Sequence, residues 1–173
     1  MFGLTGVPAA VARVIVVVAA VAAFFLVVWP AETVVHELGH ALVALAVTDG
    51  SVTVRLAGRS PTYGVRIGRL QIVFPSLPGP GGGVTQCDRE DATPREEAAI
   101  FLGGPAASAA WFLASPTGSA LEALVVVAVP AAYSLALACL PMGALVRLGV
   151  ASEAYADMQT DGYAAWRALR RER

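Results

Sequence analysis

Apolar and polar positions along the 173-residue chain follow two different periods. Continuous apolar runs, close to the roughly 20 residues that cross a bilayer core, occupy about 7–29, 31–47, 97–114 and 120–140, and each predicts a helix. The first run holds one charged residue, Arg13, close enough to its start for the guanidinium to reach the headgroups. Pro30 separates the first two runs and suits the first turn of a helix. The third is rich in small residues, G-G-P-A-A-S-A-A from Gly103 to Ala110, and the fourth contains Pro130, which a membrane helix tolerates when neighbours satisfy the freed carbonyl. Over about 51–74 the period shortens to two. The segments V-T-V-R-L and V-R-I-G-R-L-Q-I-V-F, separated by G-R-S-P-T-Y-G, predict a β-hairpin or small sheet. Residues 75–96 begin P-S-L-P-G-P-G-G-G and continue in mixed charge, which reads as a loop. The tail from about 161 to 173 predicts a basic amphipathic helix lying at a membrane surface.

These elements predict one mainly α, polytopic membrane domain over 1–173, with about four transmembrane helices, a small β insert after the second and a C-terminal amphipathic helix. Composition agrees, since 57% hydrophobic and 14% charged residues with a mean hydropathy of +0.66 are too apolar for an ordinary soluble domain of this length. A cleaved signal peptide is the competing reading of the first run, but that run is long for such a segment and no basic residue precedes Arg13. All twelve basic residues are arginines. If the four runs span, then the N-terminus, residues 49–95 and the C-terminus share the side that holds every arginine, which the positive-inside rule makes cytoplasmic. The expected setting is the cell membrane, with lipid and membrane proteins as partners and no nucleic acid. Cys87 and Cys139 sit in unlike surroundings, and both are expected to be unpaired.

The chemistry is concentrated in H-E-L-G-H, residues 36–40. A spacing of four puts both imidazoles on one helical face, one turn apart, where they can bind one Zn²⁺ while Glu37 takes a proton from activated water. His36 and His40 are the only histidines in the chain. As packing or hydrogen-bonding groups alone, three adjacent titratable side chains in an apolar helix would be costly. A catalytic zinc normally takes a third protein ligand, and Asp161, Asp157, Glu153, Glu122, Asp88, Asp91 and Cys139 are the candidates. Asp161 is favoured, because Gly162 follows it and it opens a fresh apolar stretch instead of lying in a charge run.

H-E-L-G-H in an early apolar helix, a β-rich insert after it, a later G-G-P (Gly103 to Pro105), L-P at Leu140–Pro141 and T-D-G-Y at Thr160–Tyr163 together resemble the site-2 protease family of intramembrane metalloproteases (peptidase family M50). The likeness covers most of the chain. It implies that His36, His40 and Asp161 bind one zinc ion and that Glu37 is the catalytic base. The chain departs from the family pattern at Ala138 and Ser108, where asparagines usually stand, and these departures bear on substrate-backbone contacts more than on zinc. Gly103, Gly104 and Pro105 read as small-residue helix packing. The expected function is hydrolysis of peptide bonds in membrane-spanning proteins. A non-catalytic binding or regulatory protein of the same architecture is the alternative, and a metal transporter ranks last because the runs hold few acids beyond Glu37.

Overall fold

A computed structural model of the protein describes residues 9–87, 92–114, 140–147 and 160–171. Helix α1 (Ala9–Ala23) passes through a π-helical turn, Phe24–Val28, directly into α2 (Trp29–Val47). Two long extended segments follow, β1 (Val52–Ile67) and β2 (Leu70–Cys87), then α3 (Pro94–Ala114), the short α4 (Met142–Arg147) and α5 (Asp161–Arg170).

This architecture corrects the expected four-span polytopic helical fold. Among the described residues only one helix, α3, is long and apolar enough to cross a membrane. The runs at 7–29 and 31–47 do not form two spans joined by a turn. The π-helical turn carries the backbone through without reversal, and Pro30 follows it within the continuous helix, where the widened turn accommodates a residue that has no N–H to donate. The run at 120–140 lies outside the described residues.

β structure is also more extensive than alternation predicts. Within β1 and β2 the register defines four strand segments. Residues 62–67 pair antiparallel with 70–75, residues 70–73 run parallel to 52–55, and 52–56 pair antiparallel with 83–87. The result is a mixed four-stranded sheet in which 62–67 and 83–87 are the edges. Residues 75–87, expected as part of a Gly/Pro-rich loop, therefore return to the sheet. Pairing of Leu77 and Pro78 with Arg59 and Gly58, and of Gly83 with Leu56, supplies what the weak strand preference of P-G-P-G-G-G does not, and Gly82, at a φ of +72°, makes the entry into the edge strand.

One face of the sheet covers α2. Val52 and Val54 are fully buried with Ala41 and Ala44 of α2 and Ile100 of α3, and Leu56, Leu70, Ile72 and Cys87 pack around them. Complete burial of each valine contributes about 1.5–3 kcal/mol. Arg69, in the turn between β1 and β2, donates to the carbonyls of Leu45, Thr48 and Gly50, so the turn satisfies acceptors that the end of α2 leaves open.

Helix α3 begins with a capping box. The Thr93 N–H and hydroxyl both donate to Glu96 Oε2 at 2.8 Å, and the Glu96 N–H returns to Thr93 Oγ1. Helix α5 was expected at a membrane surface, but its alanine face is buried: Ala165 and Ala168 pack on Ala98 and Phe101 of α3. Small side chains on that face bring the two backbones close, and Arg171 reaches Glu97 at 3.2 Å across the same junction.

Candidate metal centre

His36 and His40 lie one turn apart on α2, and the packing of α5 on α3 delivers Asp161, in the first turn of α5, to the same point. His36 Nε2 is 3.0 Å from Asp161 Oδ2, His40 Nε2 is 3.3 Å from the same oxygen, and the two Nε2 atoms are 3.2 Å apart. Four tetrahedral ligands around zinc, each at about 2.0–2.1 Å, are separated by roughly 3.3 Å. The observed triangle has that size. His36, His40 and Asp161 form a group that can hold a metal ion.

Hydrogen bonds on the far side of each ring fix which nitrogen faces inward. His40 Nδ1 is 2.7 Å from the Ile100 carbonyl, which only accepts, so the Nδ1 proton is committed there. His36 Nδ1 is 2.8 Å from Ser108 Oγ, and the Ser108 hydroxyl donates to Glu32 Oε1 at 2.7 Å. With its proton given to Glu32, Ser108 accepts from His36 Nδ1–H. With Nδ1–H turned outward on both rings, each Nε2 faces the same carboxylate oxygen. At 3.0–3.3 Å these three atoms repel one another unless a proton or a cation lies between them, and the donor set fits a cation.

The two helices are matched along their lengths. Glu32, His36 and His40 form one stripe of α2, and Ile100, Gly104 and Ser108 form the facing stripe of α3. Their approach depends on glycine. A Cβ on Gly103 would lie 2.6 Å from the Gly39 carbonyl oxygen, and one on Gly39 would overlap the Gly103 carbonyl oxygen. The packing role expected for the G-G-P segment thus describes Gly103. Gly104 differs, since a Cβ there would overlap His40 Nε2 and come within 2.7 Å of His36 Nε2, directly against both imidazoles.

Glu37 is buried, and the edge strand covers it. Thr85 Oγ1 donates to Glu37 Oε2 at 2.6 Å and also lies 3.0 Å from the Glu37 carbonyl oxygen. A Cβ on Gly83 would fall 2.5 Å from Glu37 Cγ, so the strand lies directly against the side chain. Beyond Gly83 along the same face of α2, an apolar pocket of about 200 Å³ opens between Trp29, Pro30, Thr33 and Val34 on the helix and Leu56, Phe74 and Gly82 on the sheet.

Burial alone would push the Asp161 carboxyl up, but hydrogen bonds and charge from His36 and His40 outweigh it and bring the pKa down to about 2. Asp161 is therefore ionised over the whole ordinary pH range. The other candidates for third ligand, Asp157, Glu153, Glu122, Asp88, Asp91 and Cys139, lie outside the described residues, as does Ala138. Sequence reasoning missed the outer hydrogen bonds. Ser108 was weighed only as a substituted asparagine, and Glu32, four residues before His36, carried a usable signal in its helical spacing. No protein-family model, no curated protein and no solved structure matches this chain.

Proposed function

We propose that this protein is a zinc metallopeptidase that hydrolyses peptide bonds of membrane-spanning proteins. The reading is carried by one observation: two imidazole nitrogens and a carboxylate oxygen converge at 3.0–3.3 Å with a buried glutamate beside them in the helix. Two histidines and one carboxylate make a donor set that suits zinc and leaves a coordination position open. Zinc bound by His36, His40 and Asp161 supplies Lewis acidity, which makes water acidic near neutral pH and polarises a peptide carbonyl. Glu37 accepts the proton of the attacking water and returns it to the departing amine nitrogen. Thr85 steadies Glu37 through Oε2, and among the described residues no donor reaches Oε1.

Substrate binding follows from the sheet. The 83–87 edge adjoins Glu37 and offers backbone groups to an extended segment by strand addition. The pocket next to Gly83 takes an apolar side chain of that segment, since even about 150 Å³ admits a benzene-sized group. A bilayer setting accounts for α1, whose Val14, Ile15, Val16, Val17 and Val18 are all more than half exposed, and for Leu113 of α3, which is 85% exposed. Replacing Glu37 by Gln should abolish cleavage of a transmembrane substrate while zinc content stays at one ion per chain. Unchanged cleavage by that variant would sink the mechanism.

The second reading is a non-catalytic regulatory protein, favoured by the Thr85 hydrogen bond and the Gly83 backbone that cover Glu37. It predicts a wild-type chain that holds zinc yet cleaves nothing, with Glu37→Gln indistinguishable from it.

A further inference from the structure

The hydrogen bonds behind His36 run in one direction. Ser108 is buried within α3, at 4% exposure, and its hydroxyl has one proton and two lone pairs. A mid-helix serine commonly donates back to its own helix. Here the donor instead crosses to α2 and ends on Glu32 Oε1 at 2.7 Å, while His36 Nδ1 lies 2.8 Å from the serine Oγ. Glu32 Oε1 accepts in this bond, so Glu32 fixes where the serine proton goes. The serine oxygen is then left only lone pairs to offer His36, which must present Nδ1–H to it. Nε2, on the opposite side of the ring, keeps its lone pair towards Asp161 and His40. His40 gets the same result more simply, from the Ile100 main-chain carbonyl, which can only accept.

We propose that Glu32 and Ser108 are positioning residues that set the His36 tautomer and ring orientation for metal binding, with Glu32 acting through Ser108. The inference rests on the metal reading of His36, His40 and Asp161, and goes beyond it by assigning two residues that touch no metal. Outer partners of this kind typically account for about 10–100-fold in metal affinity. The two residues fail differently. Without the Ser108 hydroxyl, His36 Nδ1–H has no acceptor and the ring loses its anchor. Without the Glu32 carboxylate, the hydroxyl is free to turn and donate to Nδ1, which favours the tautomer that carries its proton on Nε2 and opposes binding. A glutamine at 32 still offers a carbonyl oxygen to the serine, so it preserves the direction.

The test uses the full chain, titrated with zinc against a chromophoric chelator, together with proton NMR of the zinc-loaded protein, where a His36 Nδ1–H held by Ser108 gives a slowly exchanging resonance. Assignment is simple with two histidines in the chain. Ser108→Ala and Glu32→Ala should each weaken zinc about 10–100-fold and lose or broaden that resonance, while Glu32→Gln stays within about threefold of wild type and keeps it. A merely structural role predicts lower thermal stability in all three variants with zinc affinity and the resonance intact. Wild-type affinity in Ser108→Ala, or in Glu32→Ala, overturns the proposal and leaves the metal centre standing. A wild-type chain that takes up no zinc overturns both.

Discussion

Gly104 offers the sharpest perturbation, because its missing side chain leaves room for the Nε2 sides of both imidazoles. In Gly104→Ala the new Cβ lies 2.7 Å from His36 Nε2 and overlaps His40 Nε2. Comfortable non-bonded contacts lie near 3.5–4.0 Å, so the imidazoles must each retreat by about 1 Å or turn away. Zinc sites tolerate ligand displacements of only about 0.2 Å. Zinc affinity should therefore fall at least about 100-fold, equivalent to about 2.8 kcal/mol. The helix itself gains, since alanine is better than glycine in a helix interior by about 1 kcal/mol. Loss of metal should thus appear without loss of helix content. Competitive zinc titration together with far-ultraviolet circular dichroism reads both quantities. If Gly104→Ala bound zinc within threefold of wild type, the account of how α3 faces the imidazoles would be wrong.

Other outcomes follow from the same geometry. Gly103→Ala should lower thermal or denaturant stability by about 1–3 kcal/mol, because its Cβ meets the Gly39 backbone instead of a flexible side chain. In metal-free protein, Asp161 has a folded pKa of about 2 against an unfolded value near 3.9, so its ionised form stabilises the fold fully above about pH 4, and that share is lost as the pH falls through about 2. Denaturation between pH 5 and 2 should show a loss of about 2 kcal/mol in wild type that Asp161→Asn lacks. Val34→Phe, which fills the pocket beside Gly83, should lower kcat/KM for a substrate with a large apolar residue next to the cut by about tenfold or more, and spare one with alanine there.

The parts of this molecule that were legible in the sequence are those set by local periodicity. Four-residue spacing places His36 and His40 on one face whatever the rest of the chain does, and Asp161 stood out because glycine follows it and no other charge adjoins it. The strand at 83–87 was not legible, because what makes V-T-Q-C a strand is the buried 52–56 partner rather than its own composition. Ser108 and Glu32 were hidden for a similar reason: each is an ordinary helical residue until α2 and α3 are laid antiparallel through the Gly39–Gly103 contact. The error over spans came from treating apolar runs as independent units. Length and hydropathy do not say whether the backbone reverses between them, and the π-helical turn at Phe24–Val28 shows that it does not. The alanine face of α5 was equally silent, since alanine on a short basic helix is compatible with water, lipid or another helix.

X-ray absorption at the zinc edge of the purified full chain addresses the central claim most directly. The account predicts one zinc per chain, with two imidazole nitrogens and a carboxylate oxygen at about 2.0–2.1 Å and the loss of one light scatterer or of the metal in Asp161→Ala. A chain that binds no stoichiometric zinc, or one whose zinc keeps an unchanged spectrum in Asp161→Ala, would contradict it.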